Sequence, residues 1–438
     1  MSKRAIEKLL LDAIVAEAEQ SVKRVTAYME SHAEWRVADV EPFLMSEGRR
    51  MVGRLLGAML MVYVKENEGD GRCPDCDATM RNKGMSEREC QTLVGTIRWR
   101  RRYWYCQACR KGHYLLDEAR GLSQERMSKG CLSALGQLAA SLPFEQAAAL
   151  LERLSGVIVS GRHLGRAAEK VGCEIRQRRM EEEQKLTQQD WNRKPTEPER
   201  PWAVSLDAAK VRFRDGWHEV KVVVASGVLT QGDQVRAVDP SYGVELGNME
   251  TTGRRLYGES LRRGVDPIRD EVVCVADGAP GNWRQFEAFF ENRCEILDWY
   301  HAMEHLWAAG RGCFGEGTDE TADWVEERKA ELWSGQVDQN IEQLQLTAQD
   351  EACGAAAQQV HYFQANRHRM DYATYRARGF PIGSGLIESA CKRVIIGRAR
   401  QSGMTWTQSG LEAVLTLRAE LLSGRWEEAW MLTDRSLA

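Results

Sequence analysis

The chain reads as a multidomain α/β protein. Between residues 202 and 297, short apolar runs rich in β-branched residues alternate with amphipathic helical stretches. Upstream, two Cys-x-x-C pairs mark a small metal-dependent module, and the flanking segments carry apolar residues at three- and four-residue spacing. A length of 438 residues leaves room for several domains, and 43% hydrophobic with 28% charged residues is an ordinary globular balance. No apolar run approaches the ~20 residues that span a bilayer. Residues 5–18 contain Glu7, Lys8, Asp12 and Glu17, an amphipathic helix rather than a signal-peptide core, so cytoplasmic residence is the expectation. The formal net charge of −4 does not by itself mark a nucleic-acid binder.

Residues 1–70 carry two helical patterns, 4–31 and 40–66, a candidate dimerisation or packing element. Residues 71–121 hold the pairs Cys73/Cys76 and Cys106/Cys109. Each pair bends as a knuckle that aims two thiolates at one ion, and two knuckles complete a closed tetrahedral site for structural Zn²⁺. The gap between them fits a hairpin, residues 88–94 and 96–105 about a turn at Gly95, which is a zinc-ribbon plan. His113 is an alternative to one cysteine. The other eight cysteines stand singly and read as buried thiols. The same stretch is basic, with ten Lys/Arg against four Asp/Glu between Gly71 and Lys111. Arg98, Arg100, Arg101 and Arg102 interleave with Trp99, Tyr103, Trp104 and Tyr105. This is either a nucleic-acid surface or a strand with an aromatic core face and solvated arginines.

Residues 122–186 predict a helix over 122–142, then two short helices over 144–154 and 160–171, broken at Ser155-Gly156 and capped by Ser160. That is a helix-turn-helix-like plan, with Arg162, His163, Arg166 and Lys170 offered to a DNA groove; plain helical packing is the alternative. Residues 187–201, with three prolines, read as a linker. Residues 202–316 predict strands at 202–206, 218–228 and, more weakly, 235–239. A helix at 249–263, a strand at 271–276, a helix at 283–290 and a strand at 294–297 follow. Antiparallel strands followed by alternating strand and helix suit a ribonuclease-H-like catalytic core. Residues 317–380 carry helical patterns only and read as an insertion, after which residues 381–438 complete the core.

Three carboxylates stand in telling places. Asp207 ends one apolar run, Asp277 ends another, and Glu388 opens a helix after the glycine-rich turn at 381–385. Acids at the carboxyl ends of strands lie where α/β sheets build their sites, and hard oxygen ligands suit a pair of Mg²⁺ ions for phosphoryl transfer. The alternative is that these are ordinary strand-end and helix-start acids. Residues 298–307 form a histidine-bearing helix. His301, Glu304 and His305 also fit the H-x-x-E-H pattern of inverted zinc proteases, a remote alternative that leaves the three carboxylates unused.

The residues 296–307 (ILDWYHAMEHLW) and 381–392 (PIGSGLIESACK), with 398–406 behind the latter, resemble signatures of bacterial insertion-sequence transposases of the ISKra group. So do residues 101–106 (RRYWYC) followed by 116–118 (LDE). The resemblance runs from the zinc ribbon to Trp430, and such enzymes are similar to Mutator-type DDE transposases. It implies that Asp207, Asp277 and Glu388 hold two Mg²⁺ ions, with Mn²⁺ as a substitute. It also implies that Asp298 and His301 match a C/D-x-x-H motif of structural importance beside the site. The implied activity is hydrolytic cleavage at terminal inverted repeats of double-stranded DNA, followed by attack of the freed 3′-OH on target DNA, in a homodimer or higher oligomer. Lys392, Arg393, Arg398 and Arg400 are then candidates for gripping DNA phosphates, with solvated charge the alternative; Trp307, Trp324 and Trp333 are candidates to stack on a flipped base, although each reads more readily as core. One departure is that Ala208-Ala209 follow Asp207 where such enzymes often have Gly-Thr; neither is a metal ligand. A domesticated protein that binds transposon ends without cleaving them is the second expectation.

Overall fold

A computed structural model describes residues 2–66, 71–119, 122, 126–188, 201–232, 234–349 and 353–434. The chain divides into two compact units, residues 1–171 with 430–438, and residues 172–429.

In the first unit, helices α1 (Lys3–Ser31) and α2 (Val37–Glu66) form an antiparallel hairpin. Tyr28 stacks on Phe43, and the buried Glu47 accepts from Ser21 and Arg24, each at 2.8 Å. Strands β1 (Arg81–Thr92) and β2 (Gly95–Cys106) pair antiparallel, and β3 (Lys111–His113) adds to β2. The hairpin is therefore longer on its first strand than the pattern from residue 88 suggests. Its buried side, Cys90, Ile97 and Trp99, packs with Leu116 against Leu56 and Leu60 of α2. A short helix α3 (Leu115–Ala119) follows, then α4 (Lys129–Ser141), capped by Ser128, whose Oγ accepts from the Cys131 N–H at 3.2 Å. The single helix expected over 122–142 thus begins later, at a side-chain cap. Helix α5 (Phe144–Ser155) ends at Gly156 with φ +71°. Helix α6 (Gly161–Thr187) begins where Ser160 Oγ accepts from the His163 N–H at 3.2 Å. It does not stop at residue 171 as expected. The expected linker falls mostly on residues 189–200, outside the described residues.

The second unit starts inside α6. Gly172 lies against the backbone of α16 (Gln408–Leu422), where a Cβ would meet the Ala413 carbonyl oxygen at 2.4 Å, so only glycine permits that approach. The central sheet has the order β6-β5-β4-β7-β8. Strands β4 (Trp202–Phe213), β5 (Gly216–Gln231) and β6 (Gln234–Glu245) form an antiparallel meander. Strands β7 (Val272–Ala276) and β8 (Arg293–Leu297) run parallel to β4. The weakly patterned third strand is a full strand of 12 residues, and its Pro240 is tolerated because β6 is at the sheet edge. Helices α7 (Met249–Arg263) and α8 (Pro280–Phe289) make the crossovers.

After β8 come α9 (Trp299–Phe314), α10 (Asp319–Trp333), α11 (Val337–Thr347), α12 (Gly354–Asn366) and α13 (Tyr372–Ala377). The residues expected as an insertion form helices joined by short turns, with no strand among the described ones. Val325, Leu332, Leu344 and Phe363 share one hydrophobic core with the sheet residues Val204, Val223 and Val273, so this is no detached lid. Helix α14 (Gly385–Ala390) runs without a break into a π-helical segment (Cys391–Ile396) and α15 (Gly397–Ala399). Helices α16 and α17 (Trp426–Asp434) end the chain's described part. No helix among the described residues is long and apolar enough to cross a membrane.

Candidate active site and metal centre

Strand register brings two of the carboxylates together. Val204 of β4 stands opposite Cys274 of β7 in a parallel ladder. Counting three residues on from each puts Asp207 level with Asp277, at the carboxyl end of the parallel pair. β7 stops there, whereas β4 continues to Phe213 on β5, with Trp406 bridging to Phe213 on its other side, so Asp207 is not a strand end as the apolar run implies. Gly278 has φ +95°, which turns the chain away immediately after Asp277. Asp277 Oδ1 accepts from the Ala279 N–H at 3.0 Å and from Asn282 Nδ2 at 2.9 Å.

The third carboxylate arrives through Asp298. This residue is fully buried, and its N–H donates to the last carbonyl of β7, Ala276, at 2.8 Å. Its Oδ1 accepts from the Ser384 N–H at 2.6 Å, and the Trp299 N–H donates to the Ile382 carbonyl at 2.9 Å. Asp298 thus pins the loop before α14 to the end of the sheet. Glu388 lies one turn into that helix, accepting from Ser384 Oγ at 2.7 Å and from Lys392 Nζ at 3.4 Å. On the next turn, the Cys391 thiol donates to Asp207 Oδ2 at 3.5 Å. The helix bearing Glu388 therefore touches the first aspartate.

The electrostatics are those of crowded acids. Partial burial is the main force raising the Asp207 pKa, and the charge of Asp277 adds to it. Asp207 also acts with burial to push the Cys391 thiol well above its usual range. His301 Nδ1 lies 2.5 Å from Asp298 Oδ2, and this bond raises the histidine to about 9, so an imidazolium faces the acids at neutral pH. The Tyr362 hydroxyl of α12 donates to the Asp277 carbonyl at 2.9 Å. Tyr362, Asn282, Ser384 and Cys391 are neighbours that sequence reasoning did not single out. Cys391, one helical turn beyond Glu388, was the one with a readable signal.

The donor set fits a divalent cation. The acids are hard oxygen ligands, and the pKa of the Asp207 carboxylate is raised chiefly by burial, with the Asp277 charge adding to it. If a divalent cation binds here, Asp207, Asp277 and Glu388 are the residues that would hold it.

The cysteine pairs form a tighter centre. The ligand sulfurs of Cys73, Cys76, Cys106 and Cys109 all lie within 4.8 Å of one another. The Cys73–Cys109 and Cys76–Cys106 separations are 3.9 and 3.7 Å. Four sulfurs at ~2.3 Å from one Zn²⁺ would stand roughly 3.8 Å apart, so the cluster can hold a structural metal such as zinc. Each knuckle closes on a residue with positive φ directly after its second cysteine, Asp77 at 59° and Arg110 at 58°. A hydrogen bond from the Cys109 N–H helps bring the Cys106 thiol down to about 7. His113 stands outside the four, with Nε2 3.6 Å from Cys73 Sγ and Nδ1 3.2 Å from Glu118.

The remaining expected residues separate by burial. Arg98, Arg100, Arg162, Arg166, Lys170, Lys392, Arg393 and Arg400 are exposed. Arg398 is completely buried beside Trp406, with its guanidinium 5.0 Å from that ring, so it does not present a charge to DNA. Arg101 is withdrawn into an ion pair with the buried Asp117, which Arg88 also contacts at 2.7 Å, and Arg102 is half-buried. For both corrected arginines, neighbouring structure covers a position that local alternation left open. Trp333 is 46% exposed beneath Arg376, while Trp307 and Trp324 pack on the core. His305 bonds Gln359 at 2.5 Å and stacks on Tyr362, whereas His301 is held by Asp298. The two histidines are committed to different partners rather than to one ion.

Among known proteins, the chain is similar to a UPF0236 protein in the vanSb 3' region of Streptococcus gallolyticus, with 24% identity over 335 residues, 71% of this chain and 68% of that one. The match to a family profile covers residues 78–193, which include Cys106 and Cys109 but none of the three carboxylates. Over those residues, from the ribbon hairpin through α6, the chain is similar to the uncharacterised protein family UPF0236.

Proposed function

We propose that this protein is a DDE transposase, a Mg²⁺-dependent DNA phosphoryl transferase of a bacterial insertion sequence, built on a ribonuclease-H-like core. The observation that carries the reading is the register that sets Asp207 level with Asp277, with the helix of Glu388 in contact with Asp207 through Cys391. The strand order, three antiparallel strands with two further parallel strands beside the first, supports the core assignment. Bound Mg²⁺ would supply Lewis acidity for phosphoryl transfer. The chain's own part is to aim the carboxylates. β4 and β7 hold two, and Asp298 fixes the loop that delivers the third. The imidazolium of His301 offsets part of their mutual repulsion. The ribbon, the exposed face of α6 and the exposed Lys392 and Arg393 would position DNA by its phosphates.

The test is metal-dependent nicking and strand transfer on DNA from the flanks of the gene, with wild type beside Asp277→Asn. Cleavage at the element boundary by wild type alone, abolished by EDTA, is expected. Tight end binding without cleavage by either protein would instead favour a domesticated binder.

A further inference from the structure

The β4–β5 hairpin extends beyond the end of β7 on the side of the candidate site, its tip tied to Trp406 by the Arg214 N–H and the Arg212 carbonyl, each at 3.2 Å. β7 ends at Ala276, but β4 continues six residues past Asp207 and pairs with β5 up to Phe213↔Gly216. At ~3.3 Å per residue this arm is roughly 20 Å long. Lys210 and Arg212 are exposed on one face of β4, out of phase with the buried Val211 and Phe213, and Arg214 is exposed in the turn that follows. Alternate residues of a strand stand roughly 6.8 Å apart, twice the ~3.4 Å axial spacing of charges on one DNA strand. Trp217 sits opposite Arg212, is 59% exposed, and has the Arg400 guanidinium 5.8 Å from its ring. Exposed cations at regular spacing beside an exposed aromatic complement a phosphate backbone.

We infer that this arm is a DNA-backbone contact that carries the duplex past the candidate site. The inference rests on the proposed activity. Because the arm's cations face away from the side where Asp207 meets Cys391, they bind and orient DNA rather than touch the scissile phosphate. The test measures binding of the full-length protein to a labelled duplex across a salt series. The variant is Lys210→Gln/Arg212→Gln/Arg214→Gln. A matched control, Arg254→Gln/Lys329→Gln/Arg367→Gln, removes the same charge from exposed positions already paired to acids. The arm variant should lower the slope of log affinity against log salt by about 2–3, and the control should not. Equal slopes for wild type and arm variant would overturn the inference while leaving any cleavage, and so the transposase reading, intact. An arm-dependent slope without cleavage under any metal would keep the inference and remove that reading. No DNA binding by wild type would overturn both.

Discussion

Two regions of the second unit concentrate charge, and they are balanced in opposite ways. Around α6, α7 and α16, the buried Arg179, Arg255, Arg262 and Arg425 meet Glu182, Glu183, Glu259 and Glu420. Ser241 donates to Glu259 at 2.5 Å within the same cluster. Glu428 beside Arg179 and Glu245 beside Arg255 extend the network, so each of these arginines has at least one carboxylate partner. At the end of β4 and β7, the cationic partners of Asp207, Asp277, Asp298 and Glu388 among the described residues are His301 and Lys392. Acids paired to buried arginines hold helices together; acids without such partners are candidates for binding an external cation. Charge count inside a fold, rather than residue type, separates a structural acid from a candidate ligand.

That contrast can be broken at either end. The largest effect is expected from Arg179→Met. Arg179 is 2% exposed, donates to both oxygens of Glu420 at 2.9 Å, and contacts Glu182 and Glu428. Its loss should leave acids buried and unpaired and cost ~3–5 kcal/mol in chemical denaturation. Asp277→Asn should do the reverse. Its Oδ1 contacts survive and a like charge beside Asp207 disappears, so stability should hold or rise slightly. Cleavage should fall by more than the ~10–100-fold typical of groups that only orient ligands. A stability loss as large as that of Arg179→Met would erase the distinction. Next, Mg²⁺ or Mn²⁺ at ~100 times its Kd should stabilise wild type by ~2.7 kcal/mol. The gain should vanish in Asp207→Asn/Asp277→Asn and persist in Arg179→Met; an equal gain in all three would assign the ions elsewhere.

The smallest expected effect is in pH dependence. His301 is raised from 6.5 to about 9 in the fold, so its contribution is full below pH 6.5 and is lost as pH rises through 9. Its partial exposure keeps that contribution small. Glu259 is lowered from 4.5 to about 2, chiefly through Arg425 and Arg262 against the cost of burial, so its contribution is full above pH 4.5 and disappears as pH falls toward 2. Urea titrations across pH should therefore show an alkaline loss sensitive to Asp298→Asn and an acid loss that is not. A single pH profile shared by both proteins would mean that His301 and Asp298 are not coupled.

Much of the architecture was legible from local pattern. The cysteine knuckles, the order of strands and helices from 202 to 297, and the all-helical character of 317–380 follow from spacing and periodicity. The misses have one kind of cause. Strand β4 was expected to stop at its acid because apolarity stops there, yet pairing with β5 carries it on. Helix α6 was expected to end near 171, yet its polar second half continues because the arginines and glutamates there find partners in α7 and α16.

By itself the sequence determined which segments are helix or strand, where the thiols pair, and which acids end apolar runs, because each depends on residues a few positions apart. Only the tertiary structure decided which charges are neutralised. Arg179 meets Glu420 241 residues away, Asp207 meets Cys391 184 residues away, and Ser384 reaches Asp298 across 86. Local pattern treats every arginine as solvated, so it cannot place Arg398 inside or leave Lys210 outside. Burial and Coulomb energy are set by neighbours that only folding supplies.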